Sequence, residues 1–421
     1  MEIQLLGAAR EVGRSCIFVE SDGLNLLLDC GVSTGAQNSL PDLANAKTPH
    51  AIALSHAHLD HSGFLPAVYK HANPPILCTF PTIPLVNMLL EDMQKLLNDR
   101  GVPALFSEMD MKRMNRSFLA MPYDSEYSFF NGTKVKFLDA GHILGSGQVF
   151  VSGKEGNLLY SGDINSVKTA MHNPAKIPKD EIDVLVMEST YGGRDHGDRK
   201  KLEKVFCNKI RGAIEGRGAV VIPSFAVGRT QEIIQILLEN DLIGNVVMDG
   251  MGMRTTETYL EFPSYVRDSR KLKEAFTLAD KAYDAMGRKR NSKAGKIIVA
   301  TAGMLEGGPA LSYISRLQIA GIPTYIYLTG FQAIGTNGRL LKEQRKIRID
   351  GKTVDFTGVV EAFDFSAHSG RKELLSYVQK TDPKKIILVH GDLEEMGAMH
   401  ATLKEQGRDV MMPELNKKIE I

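Results

Sequence analysis

The sequence predicts an α/β protein in which one domain is inserted into another, and three observations lead there. Residues 1–190 read as short apolar β-runs broken by turns and interleaved with helical patterns. From Tyr191 the pattern becomes a regular alternation of strand and helix, and near the C-terminus a strand followed by a histidine returns to the style of the first part. The expected domains are therefore 1–190, an insertion over 191–365 with a parallel sheet flanked by helices, and 366–421 completing the first domain. A length of 421 residues suits such a division, since one core rarely serves so long a chain.

Taken in order, the first β-runs are 3–6, 16–19, 24–28 and 51–54. A helical pattern begins at 64–69, and 82–97 carries apolar residues at three and four spacing, with Pro81 and Pro84 suited to a helix start. Strands are expected at 134–138, 149–151, 158–160 and 184–187. In the insertion, helices near 199–215, 229–238 and 310–319 alternate with strands at 219–222, 246–248, 296–301 and 324–328. Such alternation implies a parallel sheet wrapped by helices. The charge-rich stretch 267–296, which holds Arg288, Lys289, Arg290, Lys293 and Lys296, reads as a solvated, partly mobile segment available to a nucleic-acid backbone. The last expected strand, 386–389, runs directly into His390.

Composition narrows the class. No stretch reaches the roughly 18 apolar residues of a membrane span, and the N-terminus has no signal-peptide pattern, so a cytoplasmic protein with no membrane partner is expected. Cys16, Cys30, Cys78 and Cys207 are far apart and form no CxxC pair, which points to buried thiols rather than a disulfide framework or a cysteine zinc knuckle. Lys and Arg number 51 against 50 Asp and Glu, and this balance neither demands nor excludes a polyanionic partner.

The chemistry concentrates in His56, His58, Asp60 and His61, four ligand-type side chains within six positions directly after an apolar run. A lone histidine beside a strand is usually a core or surface residue. Four such groups on a short loop can instead be aimed at one metal ion, and histidine is zinc's commonest side-chain ligand. A binuclear site needs about seven to eight ligand atoms. His142, in the glycine-rich run 139–147, His390, and Asp163, whose carboxylate can bridge two metals, complete the number. Asp29, ending the run 26–29, suits the outer role of accepting the second ring N–H of a metal-bound histidine. His50, His71, His172 and His400 lack the glycine-rich setting and read as ordinary residues, while His196 stays open.

His56, His58, Asp60 and His61, followed in order by His142, Asp163 and His390, resemble the metallo-β-lactamase superfamily. The segments 188–192, 223–232, 302–309 and 366–369 are similar to the signatures of its β-CASP nucleic-acid-processing nucleases, and 329–332 with 335–339 is closest to the cleavage and polyadenylation specificity factor branch. The resemblance implies an αββα sandwich with an inserted β-CASP domain. It also implies two Zn2+ per chain, one held by His56, His58 and His142 and the other by Asp60, His61 and His390, with Asp163 between them. The N-terminal KH domains of longer archaeal relatives are absent from the pattern, because Met1 runs almost directly into the first strand.

On this reading the substrate is single-stranded RNA, cut to leave 5′-phosphate and 3′-hydroxyl ends, with endonucleolytic processing favoured. Asp60 belongs to the catalytic group, and His368, oriented by Glu188, is expected either to donate a proton to the departing 3′-oxygen or to stabilise the charge developing there. Ser224, Arg229 and Gly303, on strand-to-helix turns, are expected RNA or phosphate contacts together with Ser366 and Ala367, although a salt bridge explains Arg229 equally well. RNA is expected to enter through an opening hinged near Tyr191 and Phe363. The alternatives are a 5′ to 3′ exoribonuclease of the RNase J kind, an inactive RNA-binding subunit and a small-molecule metallohydrolase. A homodimer, with 394–421 as its contact surface, and a larger RNA-processing assembly are the further partners expected.

Overall fold

The structure is a computed structural model that describes residues 1–33, 39–349 and 351–421. The chain divides into two compact units, the first comprising Met1–Lys168, Asn173–Asp195 and His368–Ile421 and the second Thr169–His172 and His196–Ala367.

Two seven-stranded sheets form the first unit. One runs in the order Lys418–Glu420, Glu2–Leu5, Ile17–Ser21, Leu24–Leu28, Ala51–Ala53, Ile76–Thr79, Phe118–Met121. The other runs Val410–Met411, Lys385–Val389, Val184–Glu188, Gly156–Tyr160, Gly147–Gly153, Lys134–Asp139, Glu126–Ser128. Their inner faces share one core, in which Val19, Leu26 and Ala53 join Phe137, Val149, Val186 and Val389. Because side chains alternate along a strand, Leu185, Met187 and Leu388 face the other way, where Leu374, Tyr377, Met396 and Met399 of two C-terminal helices cover them. The helix Thr82–Asp99 packs on the strand Ile76–Thr79 through its buried apolar face. The layers are thus helix, sheet, sheet, helix. Each aliphatic side chain taken from water into this core contributes roughly 1.5–3 kcal/mol.

Residues 394–421, expected to serve as a contact surface, anchor to the fold through a few buried side chains while most of the segment is exposed or half-buried. The helix Leu393–Glu405 buries Met396, Met399 and Leu403, while Val410–Met411 and Lys418–Glu420 extend one sheet each.

The second unit holds a six-stranded parallel sheet in the order Asp280–Ala282, Val246–Asp249, Ile297–Ala300, Ala219–Pro223, Thr324–Leu328, Val359–Ala362. The stretch 267–296 departs from the sequence expectation. It forms a helix, an edge strand and a second helix, Ser269–Leu278, Asp280–Ala282 and Ala285–Asn291, with Asp268 and Asp284 capping the helices. Leu272 and Ala275 bury a narrow apolar stripe that the surrounding charges hide from a composition reading. Arg288 donates from Nε and Nη2 to the buried Asp249 at 2.8 and 3.1 Å, and Lys296 pairs with Asp280, so these two cations have protein partners.

Thr169–His172 belongs to the second unit although the chain on either side belongs to the first. The Ala170 carbonyl accepts from Gln235 Nε2 at 3.2 Å and from Arg267 Nε and Nη2 at 3.2 and 3.1 Å. His172 is buried, and burial drives its pKa down to about 4 despite the opposing charge of Glu232. An unfolded histidine titrates near 6.5, so between those values the unfolded state binds the extra proton. Stability is therefore expected to be flat above about pH 6.5 and to fall by about 3 kcal/mol as the pH drops to about 4. In urea unfolding at pH 7.5 and 5, His172→Gln should shrink that difference; an equal difference in both proteins would assign the acid sensitivity elsewhere.

Candidate metal centre

Every candidate ligand follows the carboxyl end of a strand in the first unit, Asp60 and His61 from the short helix Leu59–Ser62, so the sheets and this helix fix the backbone from which each side chain departs. His56, His58, Asp60 and His61 follow Ala51–Ala53, His142 follows Lys134–Asp139, Asp163 follows Gly156–Tyr160, and His390 follows Lys385–Val389. Two local features make the convergence feasible. Gly141 has φ +69°, and a Cβ there would lie 2.5 Å from the Asn165 carbonyl oxygen, so only glycine lets the chain turn before His142. His390 itself adopts φ +49°, a region that non-glycine residues enter only where the surroundings enforce it.

The side chains gather into two groups around Asp163. His58 Nδ1 lies 3.2 Å from His56 Nε2 and 3.1 Å from His142 Nε2. Asp163 Oδ2 is 3.5 Å from His56 Nε2 and 3.7 Å from His142 Nε2. The other oxygen, Oδ1, faces His61 Nε2 at 3.3 Å and His390 Nε2 at 3.8 Å, and His390 Nε2 is 3.8 Å from Asp60 Oδ2. A tetrahedral ion with ligands about 2.0–2.1 Å away has ligand atoms about 3.3 Å apart, so this spacing fits zinc. Asp163 Oδ1 is buried without a well-formed hydrogen bond, as an oxygen that a cation would satisfy. Asp163 also stands with Glu188 and His368 in a third group of ligand-type side chains.

An outer layer fixes these rings. Asp29 Oδ2 accepts from His61 Nδ1 at 2.7 Å, from Ser55 Oγ at 2.7 Å and from Tyr160 OH at 2.8 Å, while Oδ1 accepts from the Ser55 amide at 2.7 Å. Ser55 Oγ is 3.0 Å from His56 Nδ1 and Ser15 Oγ 2.8 Å from His390 Nδ1, leaving each Nε2 turned to the cluster. Glu188 accepts from the Ile164 amide at 2.8 Å and Thr190 Oγ1 at 2.5 Å, and its oxygens lie 3.0 and 3.1 Å from His368 Nδ1. Sequence reading found Asp29 and Glu188 but missed Ser15, Ser55, Tyr160 and Thr190. Ser55 and Thr190 lie beside residues already singled out; nothing local marks Ser15 or Tyr160. Outer partners of a ligating histidine typically matter by roughly 10–100-fold, so Ser15→Ala is expected to weaken metal binding to that extent in a competition titration with a chromophoric chelator. Unchanged affinity would show that Ser15 does not orient His390.

Burial and charge divide the titrations. Burial holds His56 and His58 below the usual imidazole range. For His61, burial is outweighed by Asp163 and Asp29, which push it well up. Burial also opposes ionisation of Asp163, but His61, His390 and His368 hold it well below the usual carboxylate range. His368 is raised to about 9, burial being overcome by Glu188 and Asp163. Asp163 is thus held ionised among the imidazoles, and the same charge helps raise the neighbouring His368.

Ser224, Arg229, Gly303, Ser366 and Ala367 belong to the second unit. Ser224 is buried, with Oγ donating to the Ile222 carbonyl. Arg229 is 7% exposed and ion-paired with Glu232, the salt-bridge placement weighed for it from sequence. At Gly303 a Cβ would lie 2.9 Å from the Phe225 amide nitrogen, so its lack of a side chain serves close packing. Ser366 and Ala367 are half-buried immediately before His368.

A four-layer sandwich with histidines and aspartates converging at the strand ends defines a metallohydrolase architecture. Residues 9–190 match the metallo-β-lactamase superfamily, 230–341 the Beta-Casp domain and 354–413 the Zn-dependent metallo-hydrolase RNA specificity domain. The chain is 34% identical over 430 residues to a probable RNase MJ4 of Methanocaldococcus jannaschii, covering all of both proteins. It is 34% identical to RNase aCSPSF2 of Saccharolobus solfataricus, over 100% of this chain and 85% of that one, and 34% identical to an RNase J-like protein of M. jannaschii, over 92% and 91%. The chain belongs to the β-CASP family of the metallo-β-lactamase superfamily. Among the described residues, no helix is long and apolar enough to cross a membrane.

Proposed function

We infer that this protein is a metal-dependent ribonuclease that hydrolyses phosphodiester bonds of single-stranded RNA endonucleolytically, leaving 5′-phosphate and 3′-hydroxyl ends. The observation that carries the reading is the arrangement of Asp163, whose two oxygens face two different histidine groups while His368 stands 3.9 Å from Oδ2 on a Glu188 anchor. His56, His58 and His142 would hold one zinc ion and Asp60, His61 and His390 a second, with Asp163 reaching both. When bound, the pair makes water a stronger nucleophile near neutral pH and neutralises charge on the non-bridging phosphate oxygens.

The protein's own groups do the rest. Asp29 holds the ring of His61 in one tautomer and direction, and Ser15 fixes the direction of the His390 ring. Glu188 orients His368 and keeps it protonated, and His368 donates that proton to the 3′-oxygen as it leaves. The buried walls, with His56, His61 and Asp163 all at 2% exposure or less, strengthen every charge interaction at phosphorus.

The relatives named RNase MJ4 and RNase aCSPSF2 support the RNA substrate, and the RNase J-like relative favours a second reading as a 5′ to 3′ exoribonuclease. Circular and linear 5′-phosphorylated RNA of one sequence separate the two. Cleavage of the circle at a comparable rate is expected for the endonuclease; a spared circle with stepwise loss from the linear 5′ end would establish the exonuclease. A cytoplasmic location and assembly into dimers or larger RNA-processing complexes complete the proposal.

A further inference from the structure

His368 lies at the end of a stretch that the second unit holds residue by residue. Phe363 and Phe365 send their rings to Phe206, each with centroids 5.0 Å from it. Between them, Asp364 Oδ2 accepts from His196 Nδ1 at 2.8 Å. The next carbonyl, that of Ser366, accepts from Arg199 Nη1 at 3.4 Å, and the Arg199 guanidinium lies 4.6 Å from the Phe365 ring centroid. Arg199, His196 and the stretch up to Ala367 belong to one compact unit.

Arg199 is itself fixed. Its Nη2 bonds Glu232, its Nε is 3.3 Å from Glu203, and Glu232 is gripped from the other side by Arg229. Glu232 is 4% exposed, so these charges meet in a poorly solvated place where their attraction is little screened. A planar guanidinium can serve two carboxylates, a carbonyl and an aromatic face at once; an ammonium cannot. The Ser366 carbonyl, two residues before His368, is thus tied to a rigid post.

Resting on the ribonuclease reading above, we propose that Arg199, braced by Glu232 and seconded by His196, is a positioning residue for the proton-transfer step, setting the backbone at Ser366 so that His368 meets Glu188. Misplacement of a reacting group by about 1 Å can cost about 10²-fold, and that is the expected scale of the effect.

The test compares Arg199→Ala and Arg199→Lys, each alone and combined with His368→Ala, in the full chain. Arg199→Ala is expected to lower kcat for RNA about 10²-fold with KM within about twofold, and Arg199→Lys, which keeps the charge opposite Glu232 but not the fork, should stay low. In the His368→Ala background the further loss from either change should be less than about twofold, because there is no longer a proton donor to place. Equal losses with and without His368 would overturn the proposal, since a general structural defect multiplies through. Melting temperature and zinc content check folding, and if Arg199→Ala does not fold, Arg199→Lys carries both comparisons. An independent arm uses 15N-histidine NMR: the His368 ring signal, identified by its loss in His368→Ala, should shift in Arg199→Lys, and an unmoved signal refutes the positioning. A wild type that cleaves no RNA, or a fully active His368→Ala, would defeat the ribonuclease reading, while the NMR arm still decides what Arg199 does.

Discussion

His56→Ala is expected to reduce RNA cleavage to the level of the chelator-treated wild type. His56 is fully buried, with Nε2 facing His58 and Asp163 and Nδ1 held by Ser55. Removing the ring takes one of the four donors from the group of His56, His58, His142 and Asp163, which weakens its hold on an ion, and leaves the ionised Asp163 short of a neighbour in a dry site. Bound zinc should fall by about one equivalent per chain, since the group of Asp60, His61 and His390 keeps all its members. Elemental analysis after gentle purification, paired with single-turnover cleavage, reads both quantities. A variant with full zinc content and wild-type turnover would remove the metal assignment and the nuclease reading together.

His368→Ala is the second large effect, and it differs in kind. Loss of a proton donor costs typically about 10²–10⁴-fold in the chemical step. Zinc content should not change if His368 serves the leaving group rather than the metals. The discriminating substrate is an RNA carrying sulfur in place of the scissile bridging 3′-oxygen, because a thiolate leaves without protonation. On that substrate His368→Ala should come within about tenfold of wild type, having lost most of its disadvantage. A defect of equal size on both substrates would mean that His368 acts by holding the phosphate or the site, and the proton would have to come from elsewhere.

The candidate ligands were legible because their signal is chemical and local. His56 to His61 stand within one turn of a strand, and His142, Asp163 and His390 each close an apolar run, so the pattern needs no knowledge of the sheet. The strands at Val184–Glu188 and Lys385–Val389 were legible for a related reason: apolar on both faces, they read as uninterrupted runs. What stayed hidden depended on distance in the chain. Ser15 meets His390 across 375 residues and Tyr160 meets Asp29 across 131, and nothing in either neighbourhood marks the contact. The stretch 267–296 was misread because its two helices bury few side chains and surround them with lysine and arginine. Arg288 shows the trap most clearly. A cation in a basic run looks like a free surface charge, yet Asp249, 39 residues earlier, takes both of its nitrogens.

The four residues Thr169–His172 bear on how far this protein can be taken apart. Splicing Asp195 directly to His368 looks from sequence like a clean excision that returns a minimal lactamase-type scaffold. It would instead strand Ala170, seven residues downstream of Asp163, without the amide of Gln235 and the guanidinium of Arg267, and His172, two residues further on, without the ring of Tyr259. The graft is rooted at three places in the chain rather than two, and a module with a third root cannot be swapped among homologous scaffolds by exchanging its ends alone.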